Sequence, residues 1–378
     1  MRRNVISEGT SRQGRSFHLI REGEGHLTCR CSRWAMRSLV RKKTSSFIHR
    51  HIVIGVRGSV AMLLSMPLPS CGDRQSTFAA AGREASAIES LITVTVVGAA
   101  FVWLVVISLL IYAGRARRGQ LSQEQAQRFI TWGGVVAPTA VLFALLSYAV
   151  WSMPATRPWF DRQQADLAIE VTGEQFWWRI RYLDKSGGIA FETANELTLP
   201  VDRRIRISLK AHDVIHSFWI PALAGKMDML PGRTNTLWLE PTRIGSYRGP
   251  CAEFCGTSHA LMNLTADVLS AEDFQTWQQS RAKRRSTSNH AANAFLVHGC
   301  SACHALDGTQ AQGLTGPNLT GFGQRKHVGA GALANTPENL ARFIRDPSSV
   351  KPGAQMPAFP MIPQDELNEI IDYLAGET

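Results

Sequence analysis

Two uncharged apolar runs constrain this chain more than any other feature. Leu91–Ala113 spans 23 residues and Phe129–Met153 spans 25, and neither holds a charged side chain. A hydrocarbon core takes about 20 helical residues to cross, so each run is long enough to span a bilayer. Each is apolar all round, unlike the one-sided helix of a globular core. Pro138 in the second run is tolerable inside a membrane helix. The connection Gly114–Arg128 carries Arg115, Arg117, Arg118 and Arg128 against the single acid Glu124, whereas the outer flanks mix signs. Arginine-rich connections stay on the cytoplasmic side. Residues 88–156 are therefore expected to form a transmembrane hairpin, with helices at about 91–113 and 129–153 and both chain ends outside.

The net charge of +11 over 378 residues suggests a nucleic-acid binder until it is located. Met1–Arg57 holds 13 Lys/Arg against 3 Asp/Glu, and the remainder holds 28 against 27. The basicity belongs to the N-terminal extension, and no nucleic-acid partner is expected. Residues 1–50 show no helical or strand period and are expected to be dispensable, with translation starting near Val53–Val56. Arg57 followed by the apolar stretch Ser59–Leu68 reads as a secretory signal. Leu68-Pro69-Ser70-Cys71 resembles a bacterial lipoprotein processing site, which implies lipidation of Cys71. Residues 1–71 are thus an extension with a signal or lipoprotein-like segment.

Short alternating strands follow, at Ala168–Thr172, Phe176–Tyr182, Arg204–Ala211, Thr236–Leu239 and Asn263–Leu269. Arg204-Ile205-Arg206-Ile207-Ser208-Leu209-Lys210 alternates as a half-buried strand should. With turn signals between them, these strands predict an all-β sandwich or barrel over 165–276. Residues 277–290 are polar and basic and read as a linker. Helical segments at Ala291–Gly299, Pro337–Asp346 and Gln364–Ala375 predict a small all-α domain over 291–378.

Of seven cysteines, four form tight pairs, Cys251/Cys255 and Cys300/Cys303. The string CAEFCGTSHALM, with upstream His216, gathers thiolates, imidazoles and a thioether, a soft set that selects copper over hard cations. Two thiolates can each bridge, so two copper ions can share Cys251 and Cys255. His216 would cap one and His259 the other, with Met262 and the backbone carbonyl of Glu253 as weak axial ligands. A structural zinc site or a Cys251–Cys255 disulfide would use some of the same residues, and ligand types alone leave those alternatives open. His212, four before His216, reads as a polar residue at a strand end.

Cys300-Ser301-Ala302-Cys303-His304 is the attachment pattern of a covalent c-type haem. Its thiols would add to the vinyl groups and His304 would sit beneath the iron. Met356 in GAQMPAF is the expected distal ligand, since His/Met ligation raises the reduction potential; His298 and His327 are alternatives. GLTGPNL (Gly313–Leu319) resembles the class I cytochrome c loop that buttresses the proximal histidine, which implies a contact from Pro317.

The stretches AHDVIHSFWIP, GKMDMLPGR and CAEFCGTSHALM, together with the preceding hairpin, resemble subunit II of cytochrome c oxidase over most of Cys71–Leu269. With CSACH, the whole resembles such a subunit fused to a class I cytochrome c. The resemblance implies a multidomain fold: a two-helix transmembrane hairpin, an all-β cupredoxin-like sandwich and a small all-α cytochrome c domain. It makes His216, Cys251, Glu253, Cys255, His259 and Met262 the ligands of a dinuclear copper centre, with a magnesium ion facing the Glu253 carboxylate. Asp213 and Asp228 match acidic positions near subunit contacts. The family's electron-input Trp after the Gln is replaced here, in Gln175-Phe176-Trp177-Trp178, by Phe176, so Phe176 and Trp177 are the input candidates. Electrons would pass from haem c to the copper pair and on to a catalytic subunit I that reduces O2 with proton translocation. Subunit III, an upstream cytochrome c or other donor, and membrane lipid are the further implied partners. The implied location is a bacterial plasma membrane, with both redox domains on the periplasmic side. The input subunit of a copper-containing nitric oxide reductase, a nitrous oxide reductase and a copper-delivery protein are the rival readings.

Overall fold

The computed structural model describes residues 76–115, 122–152, 164–284 and 293–376. The extension and signal over 1–71, with Cys71, lie outside the described residues.

Helix α1 (Arg83–Arg115) and helix α2 (Gln123–Ser152) are both long and apolar enough to cross a membrane. Ser122 and Gln125 close a reciprocal capping box at the start of α2. Inside α2, Trp132–Val136 widens into a π turn. The turn contains Gly134, the residue four before Pro138, whose carbonyl a proline ring crowds and leaves without its usual donor. The foot of α1 is pinned to the next domain: Ala81 N–H donates to Ala222 O at 2.7 Å and Ala85 N–H to Leu223 O at 3.3 Å. A Cβ on Gly82 would meet Leu223 O at 2.2 Å, so only glycine allows that approach.

Ten strands follow: β1 (Leu167–Glu174), β2 (Trp177–Leu183), β3 (Ile189–Ala194), β4 (Glu196–Pro200), β5 (Ile205–Ala211), β6 (His216–Phe218), β7 (Met227–Met229), β8 (Asn235–Leu239), β9 (Gly245–Pro250) and β10 (Asn263–Leu269). One sheet runs β3-β2-β1-β5-β8, a second β4-β10-β9, and β6 pairs with β7. Pairing is parallel at β1–β5 and at β4–β10. In β5, Ile205, Ile207 and Leu209 are fully buried, while Arg206 faces out. In β10, Leu264, Ala266 and Val268 face the same core. Each such large aliphatic side chain contributes about 1.5–3 kcal/mol by leaving water.

The segment expected as a linker from residue 277 is helical as far as Arg284, within helix α3 (Ala271–Arg284). Ser270 caps it, its hydroxyl accepting from Asp273 N–H at 3.0 Å. Phe274 and Trp277 pack it onto the sheet core. Beyond it, helices α4 (Asn293–Val297), α5 (Pro337–Arg345), α6 (Pro347–Val350) and α7 (Gln364–Gly376) surround a separate core of Phe295, Leu306, Leu319, Ile344, Leu367 and Ile370.

Candidate redox centres

β6 begins at His216, and the loop from Cys251 to Met262 joins β9 to β10. That loop closes on itself where Cys251 N–H donates to Met262 O at 2.9 Å. Cys251 Sγ lies 4.0 Å from Cys255 Sγ, twice the length of a disulfide bond, so the pair is not cross-linked. The other donors divide between the two sulfurs. Cys251 Sγ has His216 Nδ1 at 3.9 Å and the Glu253 carbonyl at 3.3 Å. Cys255 Sγ has His259 Nδ1 at 3.6 Å and Met262 Sδ at 3.8 Å. His216 and Met262 are fully buried, and both thiols are nearly so.

Around the donors the frame is rigid. Asp213 Oδ1 sits 2.9 Å from His216 Nε2, which leaves Nδ1 for the cluster. Gln175 N–H donates to Asp213 Oδ2 at 2.7 Å, and Gln175 Nε2 to Cys255 O at 2.6 Å. A Cβ on Gly173 would meet the His216 ring at 2.8 Å, so glycine makes room for the imidazole. The hydrogen bond between the thiols holds Cys251 well below the ordinary thiol range and pushes Cys255 up. Burial pulls His216 down, but Cys251 and Asp213 outweigh it and leave its pKa raised. Two soft anions-in-waiting, two imidazoles and a thioether in a dry pocket suit copper.

In the helical domain, Cys300 and Cys303 flank a single turn, and His304 Nδ1 donates to Pro317 O at 2.8 Å. That is the contact expected of Pro317, and it turns Nε2 away from the carbonyl. Burial lowers the pKa of His304, keeping the imidazole neutral. A Cβ on Gly316 would come within 2.6 Å of His304 Cε1. An apolar cavity holds Cys300, Cys303, His304 and Met356 in one lining, with Phe295 and Ile344 among its walls. Two free thiols, a neutral imidazole and a thioether around an apolar slot fit a covalent haem. His298 is bonded to Glu366 instead, His327 is exposed at the cavity rim, and Met361 is 90% exposed.

The same cavity is lined from the β-domain by Gln175, Phe176 and Trp177. Both input candidates therefore face the haem slot, Phe176 buried and Trp177 half-buried under the Arg179 guanidinium at 4.7 Å. Arg179 also donates to Leu314 O at 2.8 Å, and Lys326 Nζ reaches Asp267 at 2.7 Å. The two domains are thus docked, not merely tethered.

The predicted copper residues come together, as do the predicted haem residues. His212 is exposed, its N–H spent on Gly173 O. The Glu253 carboxylate is half-exposed and lies 3.7 Å from Lys226, whose ammonium is also 3.6 Å from Asp228. Sequence reasoning missed Gln175 as the brace of the copper loop, gave Asp213 no part in orienting His216, and passed over Lys351. Lys351 is buried between the domains, and burial pushes its pKa down to about 7. The spacing of Asp213 three residues before His216 was the available signal for Asp213; Gln175, 38 positions before Asp213, left none. Lys351 left none, because its partners are backbone carbonyls.

Comparison with known proteins is consistent with this geometry. Residues 170–269 match the family model "Cytochrome C oxidase subunit II, periplasmic domain", and residues 289–376 match "Cytochrome c". The cytochrome c oxidase subunit 2 of Alkalihalophilus pseudofirmus is 39% identical over 211 residues, covering 54% of this chain and 60% of that protein. That of Bacillus subtilis is 35% identical over 225 residues, covering 56% of this chain and 62% of that protein. The chain therefore spans about three fifths of the length of these bacterial relatives. The subunit 2 of Branchiostoma floridae is 30% identical over 177 residues, covering 42% of this chain and 77% of that protein. Among solved structures, the periplasmic domain of subunit II of cytochrome oxidase from Bradyrhizobium japonicum shares 33% identity, with a TM-score of 0.30, covering 32% of this chain and 96% of that one.

Proposed function

The chain belongs to the cytochrome c oxidase subunit II family, and we propose that it is the electron-input subunit of a haem-copper oxidase, carrying its own donor haem. It is a membrane protein with a copper-binding and a haem c-binding domain. In this reading Cys251 and Cys255 would hold two copper ions between them, with His216, His259, Met262 and the Glu253 carbonyl completing the ligand set. Cys300, Cys303, His304 and Met356 would hold one covalent haem in their shared cavity. When bound, the two groups would supply one-electron transfer between the haem domain and the copper domain.

The chain's own residues fix the geometry for that transfer. Gln175 and Asp213 brace the copper ligands through the loop backbone and the far imidazole nitrogen. Support of this kind orients ligands and tunes the metal. Burial of the thiols and of His216 excludes water, and Pro317 holds His304 in one tautomer. Phe176 and Trp177 occupy the space between the centres, so the fused haem domain covers the surface that a free cytochrome would use.

Oxygen chemistry belongs to a partner, because neither apolar run contains a histidine to hold a second metal. Phe254 is 76% exposed next to Cys255, with Ile215 and Val214 exposed beside His216. This apolar face next to the copper ligands suits the catalytic subunit, which would take the electron, reduce O2 and translocate protons. A third subunit, an upstream cytochrome or other donor to the haem, lipid around the hairpin, a lipid chain on Cys71 and placement in a bacterial plasma membrane with both redox domains outside complete the reading. The magnesium expected at Glu253 has only part of a site, because Lys226 already stands between the Glu253 and Asp228 carboxylates. No step is assigned to it.

The observation that carries this reading is the even division of donors about two unlinked sulfurs 4.0 Å apart. Metal analysis of the purified chain should give two coppers and one haem iron. Its electron-spin signal should show one electron shared by two equivalent copper nuclei, and Cys255→Ser should abolish that sharing. One copper per chain with a localised signal would reject the dinuclear site.

A further inference from the structure

We propose that Lys351 is a positioning residue for transfer between the two centres: its ammonium ties the loop carrying Met356 to the input aromatic and to the copper loop. The inference rests on the relay reading above.

Lys351 is 4% exposed. Its ammonium donates to three carbonyls from three separate segments: Phe176 O at 2.6 Å, Gly329 O at 2.8 Å and Leu261 O at 3.1 Å. An ammonium has three donors and no acceptor, so this one is saturated. A buried cation is tolerated only where such partners replace its water. The acceptors are not arbitrary. Phe176 stands where the family receives electrons, Leu261 immediately precedes Met262, and Gly329 belongs to the haem domain.

The chain after Lys351 lies directly on the copper loop. Pro352 O accepts from Thr257 Oγ1 at 3.0 Å and from Ser258 Oγ at 2.6 Å, and Ser258 immediately precedes His259. Gly353 has φ +77, and a Cβ there would meet Thr257 Oγ1 at 2.5 Å. The segment from Lys351 to Met356 therefore joins a haem ligand to the neighbours of two copper ligands through side-chain-to-backbone hydrogen bonds. Arg179 and Lys326 also cross between the domains, to Leu314 O and to Asp267, but neither bonds to the copper loop. Lys351 is the cation whose removal would loosen the separation of the centres while leaving every ligand in place.

The test uses the whole oxidase complex with Lys351→Leu, Lys351→Arg or the unchanged chain. Pulse reduction of the haem is followed by its reoxidation and by loss of the copper–sulfur absorption. With Lys351→Leu the transfer should slow on the order of tenfold or more, the range that a small misplacement of reacting groups produces. Haem and copper spectra should be unchanged. During steady turnover the haem should become more reduced and the copper more oxidised. Lys351→Arg should recover much of the rate. A readout without turnover is amide exchange at Asn263, whose N–H donates across the interface to Ala330 O at 3.0 Å. In the fully loaded chain at rest, Lys351→Leu should exchange faster there. If Lys351→Leu fails to take up haem, Lys351→Gln, with a shorter reach, carries the same test. Unchanged transfer and unchanged exchange in the variant overturn the role of Lys351 alone. Absence of haem-to-copper transfer in the unchanged chain overturns the relay itself.

Discussion

At Gly316 a single hydrogen atom in place of a methyl decides whether His304 can reach Pro317. A Cβ would stand 2.6 Å from His304 Cε1, too close for any rotamer adjustment of the flat ring. Gly316→Ala should therefore push the imidazole off its carbonyl, at about 1–3 kcal/mol of overpacking strain. Haem content per chain, read from the absorption of covalently bound haem, should fall sharply. Full haem content in that variant would show that the loop yields instead. Asp184 offers a pH prediction at the same scale. Its carboxylate accepts from the Ser186 hydroxyl at 2.6 Å and from the amides of Ser186 and Gly188 at 2.8 and 2.9 Å. These bonds, the Ser186 hydroxyl foremost, hold its pKa below the ordinary value of 3.8. A depressed folded-state pKa means that this turn's stabilisation is present above the unfolded value and is lost as pH falls through the folded one. The protection of the Gly188 amide, its exchange relative to an unfolded chain at the same pH, should fall on acidification below about pH 4, and Asp184→Ala should remove that dependence.

Elements with a clear period were legible from their residues, and those fixed by partners were not. The alternation in β5 placed Ile205, Ile207 and Leu209 inside before any fold was known. β9 (Gly245–Pro250), with its glycines, serine and arginine, has no apolar period; its place is set by the ladder to β10. β6 and β7 are three residues each and are held by contacts such as Ser217 Oγ to Asp228 Oδ1 at 2.8 Å. Residues 277–284 read as part of a linker because polar and charged residues dominate them, and they fold as the second half of helix α3. The Ser270 cap and the Phe274, Trp277 spacing were the signals that it would fold. Trp277 meets Tyr182 and Phe191 edge-on, with ring centroids at 5.3 and 5.4 Å. Trp277→Ala should cost about 2–3 kcal/mol, less than a fully buried indole because this one is half-buried. Thermal unfolding of the copper domain, followed by its copper–sulfur band, should record that loss. An unchanged midpoint would mean that α3 adds nothing to the sandwich.

For the whole molecule, the motifs announced two redox sites, but their mutual placement was hidden. Cys251/Cys255 and CSACH are local patterns, legible because ligand chemistry dictates residue type and spacing. Docking depends on Arg179, Lys326 and Lys351 meeting mostly backbone oxygens, which every residue carries and no sequence pattern marks. The structure presses the haem cavity onto Gln175, Phe176 and Trp177. On the proposed reading, that arrangement makes electron passage a property of one chain. The most direct test is to reduce the haem of the solubilised, fully loaded chain with a light pulse and follow both centres at several protein concentrations. The account predicts a single first-order transfer to copper whose rate does not change with concentration. A rate that rises in proportion to protein concentration, or a haem that stays reduced while copper stays oxidised, would contradict it.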